Sequence, residues 1–120
     1  MAKYVDGYVL PVPKKSVAAY QAIARKAAKL WLEHGALEFR ENVGEDLKVK
    51  FGVPFTKLIK TKPSETVIFS WIVFKSKAQR DRINAKVMSD PRLAAMMETT
   101  KCPFDPARMC YGGFETIVDA

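Results

Sequence analysis

Alternating and three-to-four-residue spacings of apolar positions divide the chain into six successive elements. Tyr4 to Val12, rich in Tyr and Val and closed by Pro11 and Pro13, reads as a strand. Val17, Tyr20, Ala24, Ala27 and Trp31 then mark one face of a helix running from Val17 to His34. Ser16 stands at its N-cap position, and Gly35 stands where a left-handed C-cap is wanted. Ala36 to Val43 alternates, with Leu37, Phe39, Glu41 and Val43 on one side and Ala36, Glu38, Arg40 and Asn42 on a wetter one. Val67 to Phe74 is the strongest strand pattern in the chain. Ser76 and Gln79 carry a capping-box signature for a helix reaching about Met88, and Asp90-Pro91 restarts a short helical turn through Met97. Met109 to Val118 is the last strand, where Gly112-Gly113 predicts a bulge or a close backbone approach.

The order strand, helix, strand, strand, helix, strand is the ferredoxin-like βαββαβ arrangement, an α+β sandwich. It predicts a four-stranded antiparallel sheet with two helices on one face, and one domain over residues 1–120. In Val67 to Phe74 both faces are apolar: Val67, Phe69, Trp71 and Val73 on one, Ile68, Phe74 and Ile72 beside Ser70 on the other. Two helices cover one face only, and a second copy of the chain is the simplest cover for the other, giving a homodimer. The competing cover is the segment from Gly44 to Thr66, which is too long for a structureless loop and is expected to hold a short helix or edge strand.

Composition narrows the function classes. Nearly half of the residues are apolar, which excludes a disordered chain, and no apolar run is long enough to span a bilayer. The N-terminus lacks an apolar export core, so a cytoplasmic location is expected. Cys102 and Cys110 are the only cysteines and His34 the only histidine, too few for a disulfide framework or a zinc site. The net charge of +7 attracts acidic partners, but no block of five basic residues occurs, so the charge reads as a solvated surface.

Candidate chemistry is sparse. Asp6 is a carboxylate among Tyr4, Val5, Tyr8 and Val9 on a strand expected to be central. Unpaired, it could be a general base with a raised pKa; paired with an arginine or lysine, it would be structural. His34 stands at a helix C-terminus, where a histidine commonly meets the dipole or a capping partner. Glu38 and Arg40 share the wetter strand face, as a rim ion pair or as holders of a polar ligand. Trp71 and Tyr8 are aromatics of a core or of a pocket wall. There is no nucleophile elbow, phosphate loop or dinucleotide turn. Val67 to Phe74 also lacks the basic–Gly–aromatic signature of RNA-recognition domains, which share this topology.

Val5-Asp6-Gly7-Tyr8-Val9-Leu10-Pro11-Val12-Pro13 resembles the opening of the YbaA-like bacterial family of unknown function. So do Phe69-Ser70-Trp71-Ile72-Val73-Phe74-Lys75-Ser76, Asn84-Ala85-Lys86-Val87-Met88, Asp90-Pro91-Arg92-Leu93 and Tyr111-Gly112-Gly113-Phe114. The resemblance runs from Tyr4 to Asp119 and is loosest over 44–62. It implies a dimeric α+β barrel, two ferredoxin-like protomers with sheets facing across a shared core, and brings no reaction with it. In the wider barrel superfamily, haem degraders carry an Asn–Trp–His constellation; the second helix here has no histidine, so no haem is expected. The leading expectation is a small organic molecule bound or transformed without a cofactor in a cavity beside the sheet, with Asp6, Tyr8, His34, Glu38, Arg40 and Trp71 as the candidate pocket. The alternatives are a structural or interaction module without ligand, or weak, non-specific RNA binding; a membrane is not an expected partner.

Overall fold

Tyr4–Pro13 (β1) is extended along ten residues, its side chains alternating between a face packed on helices and an open face. In this computed structural model, which describes residues 2–99 and 101–120, β1 pairs antiparallel with Glu65–Phe74 (β3) along its full length. Its other edge pairs with Cys110–Glu115 (β4), and Glu38–Val43 (β2) joins the far side of β3. The sheet order β2-β3-β1-β4 is the expected ferredoxin-like one. Pairing with β4 stops at Val9. Pro11 and Pro13 therefore lie where β1 has a free edge, and a central strand tolerates them there.

A single 3-10 turn, Lys14–Ser16, leads into Val17–Glu33 (α1). Ser16 makes no side-chain cap bond, contrary to expectation, because the turn has already taken it out of the extended conformation a capping hydroxyl needs. The helix ends as its sequence predicts. Ala36 N–H donates to the Trp31 carbonyl at 3.0 Å and Gly35 N–H to the Leu32 carbonyl at 3.1 Å, with Gly35 at φ +116. That is a Schellman cap, and it uses up Ala36, so β2 starts at Glu38.

Lys77–Met88 (α3) begins at Ser76, whose hydroxyl accepts from Gln79 N–H at 3.2 Å. Only this half of the capping box forms; the Gln79 side chain instead accepts from Arg82. Pro91–Thr99 (α4) follows, with Asp90 accepting from the Arg92 amide at 2.9 Å. Between β2 and β3 the chain makes one short helix, Phe55–Leu58 (α2). Arg108 clamps this excursion through two bonds to Glu65, 2.7 and 3.0 Å, and one to the Lys60 carbonyl at 3.0 Å.

The core lies between the sheet and α1 and α3. Ile72 and Phe74 point into it and meet Leu30, Trp31, Ile83 and Val87, while Leu10, Val12 and Ile68 form a second cluster packed against Val17, Tyr20, Phe104 and Met109. The opposite sheet face presents Val5, Val9, Phe69, Trp71, Val73 and Phe114. The excursion reaches this face where Phe55 stacks on Phe69 with ring centroids 6.1 Å apart, and Val67, at the same end of the face, is buried. Phe69 still has 44% and Phe114 60% of its surface exposed. β4 ends at Glu115 rather than Val118, and its register runs unbroken through the glycine pair, so there is no bulge. The close approach is at Gly113, where an added Cβ would stand 2.5 Å from the Tyr4 hydroxyl and 2.7 Å from Arg80 Nη2.

Candidate functional site

Asp6 is fully buried on the helix side of β1. Arg80 and Asn84, one turn apart on α3, come down onto it: Arg80 Nε lies 3.4 Å from Oδ1 and Asn84 Nδ2 donates to Oδ2 at 3.1 Å. Asn84 in turn accepts from Trp31 Nε1 at 2.9 Å, and Arg80 donates to the Tyr4 hydroxyl at 3.1 Å while lying over the Tyr4 ring. Burial pushes the Asp6 pKa up, and Asn84 and Arg80 pull against it. The arrangement ties β1, α1 and α3 together, and Gly113 leaves room for it.

The six candidate residues do not share one cavity. Strand alternation sends Trp71, Glu38 and Arg40 to the open face, opposite Asp6 and Tyr8. There Trp71 Nε1 donates to Glu38 Oε2 at 3.2 Å, and Arg40 lies 3.2 Å from Glu38 Oε1. His34, just past α1, pairs with Asp90 at 2.9 Å and so joins the end of α1 to the start of α4. Arg92 and His34 hold the Asp90 carboxyl well below its ordinary range.

A cavity of about 160 Å³ does lie beside the sheet, under α1. Of the six, Tyr8 contributes its side chain to the wall; Trp71 borders it from the strand whose outward side carries its ring. Leu10, Ile72 and Ala27 supply apolar surface, Tyr20, Trp31 and Phe39 aromatic surface. The polar end is Glu41, whose Oε1 accepts from the Tyr20 hydroxyl at 2.8 Å. Crowding by the surrounding protein raises the Glu41 pKa, while the hydroxyls of Tyr20 and Ser70 hold it down. Burial, and then the carboxylate beside each, raises the Tyr20 and Tyr8 hydroxyls well above the ordinary tyrosine range, so both are protonated at neutral pH.

Glu41 escaped the sequence reading although its signal is there. It sits in phase with Phe39 and Val43, the row that turns toward α1, and is the lone carboxylate of that row. Among the described residues no group of three or more His, Cys, Asp and Glu is placed to hold a metal ion, and no helix is long and apolar enough to cross a membrane.

The family described as "Protein of unknown function (DUF1428)" matches residues 3–106. The chain belongs to this family. It is 45% identical over 117 residues to the uncharacterized protein YbaA of Escherichia coli strain K12, covering 98% of each chain, and equally so to YbaA of Shigella flexneri. The likeness to the YbaA-like family read from the strand and helix motifs is therefore shown. Among solved structures, a dimeric ferredoxin-like protein from an uncultured marine organism superposes with a TM-score of 0.61 at 12% identity, covering 100% of both chains. An uncharacterized NIPSNAP domain protein from Burkholderia xenovorans gives 0.60 at 11% identity, over 98% of this chain and 94% of that one. At such identities the likeness shows the α+β ferredoxin-like fold, and a fold of this kind does not choose a reaction.

Proposed function

We propose that the protein binds a small organic molecule in the cavity between the sheet and α1. The carrying observation is a cavity of about 160 Å³ with apolar and aromatic walls and one polar end, the Glu41–Tyr20 pair. A cavity of roughly 150 Å³ accepts benzene, so the fitting ligand is a single ring or a compact aliphatic body with one hydrogen-bonding group. Ala27 lines the cavity from α1, and Ala27→Leu fills it without disturbing helix propensity. The expected outcome is that single-ring compounds show saturation transfer by NMR with the parent protein and lose it in Ala27→Leu. Compounds that bind both proteins alike, or neither, would overturn this reading.

The second part of the proposal concerns assembly. The open sheet face, with Phe69, Phe114, Trp71, Val73, Val5 and Val9, is the surface by which two copies would pack about a two-fold axis. Full burial is worth about 1.5–3 kcal/mol for a large apolar side chain, so covering the partly exposed Phe69 and Phe114 of both copies favours the dimer. The marine ferredoxin-like neighbour, described as dimeric, supports it. Sedimentation at micromolar concentration is expected to give twice the 13.5 kDa chain mass, and Phe69→Lys with Phe114→Lys to give the monomer. A monomeric parent protein refutes the interface. A reducing cytoplasm fits the two cysteines, Cys102 and Cys110, which are exposed and unbridged.

A further inference from the structure

Charge and hydrogen-bonding capacity in the cavity under α1 define its ligand more closely than volume does. Among the described residues that line it, Glu41 is the one charged side chain, in a chain with 20 Lys and Arg against 13 Asp and Glu. Four aromatic residues, Tyr8, Tyr20, Trp31 and Phe39, share the wall with it. An aromatic face is electron-rich and attracts an organic cation. Tyr8 also senses the Asp6 carboxylate, which Arg80 offsets in part.

The donors of the cavity are already committed. The Tyr20 hydroxyl bonds to Glu41, the Ser70 hydroxyl acts on the same carboxyl, and Trp31 Nε1 donates to Asn84. What these groups offer a ligand is lone pairs and π-faces, with the Tyr8 hydroxyl as the remaining side-chain donor. A site built mostly of acceptors around a carboxylate suits a ligand that brings protons and positive charge, and repels an anion. Glu41 can be reached from the β2 edge: it is exposed and also borders two further hollows, of about 140 and 220 Å³. Arg25 borders the larger of these and is not among the groups that act on the Glu41 carboxyl.

We propose that the cavity selects small organic ammonium ions, with the cationic head against Glu41 and the apolar body among Tyr8, Tyr20, Trp31 and Phe39. This rests on the reading of the cavity as a ligand site and adds the ligand's charge.

Benzylamine, benzyl alcohol and benzoate share a ring and nearly the same volume, and differ in charge at pH 7. Titration calorimetry on the full chain is expected to rank benzylamine about tenfold tighter than benzyl alcohol, with benzoate undetectable. In Glu41→Gln the amide keeps an acceptor for Tyr20, so the fold persists while the preference for the amine over the alcohol falls to within about twofold. Benzyl alcohol binding as tightly as benzylamine to the parent protein would overturn cation selection and leave the ligand site standing. An amine preference that survives in Glu41→Gln would also overturn it. Failure of all three to bind would remove the ligand site and this inference together.

Discussion

Replacing Arg80 with methionine is expected to lower the unfolding free energy by about 3–5 kcal/mol, the scale for stripping one partner from a buried ion pair. Asp6 has no exposed surface and relies on two side chains, Arg80 at 3.4 Å and Asn84 at 3.1 Å. Asp6→Asn is expected to lose less, about 1–3 kcal/mol, because it leaves a guanidinium that can still reach the Tyr4 hydroxyl and Asp81. The double variant should recover part of the combined loss, which a double-mutant cycle measures directly. The pH dependence has a definite sign. Burial raises the folded pKa of Asp6 above its unfolded value, so the folded protein binds that proton more readily. The associated stabilisation is full below the unfolded pKa and is lost as pH rises through the folded one. Without Arg80 the folded pKa climbs further, so the deficit of Arg80→Met relative to the parent should narrow as pH falls from about 7 to about 5. Urea denaturation at both values decides the matter. A deficit below about 1 kcal/mol, or one independent of pH, would mean that Arg80 contributes no more than an exposed ion pair.

Phe74→Ala is the other large effect, also about 3–5 kcal/mol. Phe74 has no exposed surface and packs in one cluster with Leu30, Trp31, Ile72, Ile83 and Val87, so its removal opens a void where sheet, α1 and α3 meet. It is also the register partner of Tyr4, whose ring carries the Arg80 guanidinium at 4.7 Å. Phe74→Leu retains most of the volume and is expected to cost under about 1.5 kcal/mol. Urea midpoints for the pair, with unchanged slopes, test the packing account. Equal losses in the two variants would contradict it.

Much of the fold was legible because its signals are local. Gly35 at a positive φ, the Ser76 cap and the Asp90-Pro91 start each act within a few residues, and each forms, though only the Ser76 half of its capping box does. Ser16 failed because the 3-10 turn before it changes the backbone it would cap from. The candidate site was less legible, for reasons of parity and distance. Alternation separates a strand into two faces but does not say which face the helices take. Asp6, Tyr8 and Trp71 could therefore be placed on adjacent strands without any sign that Trp71 points the other way. The partners of Asp6 lie on α3, on the far side of the sequence from β1, and nothing local to either segment announces the pairing. Glu41 was visible as a carboxylate in an apolar row, and the question it posed was overshadowed by the neighbouring Glu38–Arg40 pair.

The central place of β1 bears on how a nascent chain survives its own synthesis. β1 is made before its partners, Glu65–Phe74 and Cys110–Glu115, so its edges stay bare until these are translated. At about 5–20 residues per second, that wait is on the order of ten seconds. An unpaired strand rich in Tyr and Val is a template for pairing with other unfolded chains. Asp6 puts a charge near the start of this strand, and Pro11 and Pro13 deny two amide donors near its end. These are the devices that keep exposed strands from cross-linking. The carboxylate that is expensive to bury in the finished protein is thus an exposed charge on the nascent strand until Arg80 is made and meets it.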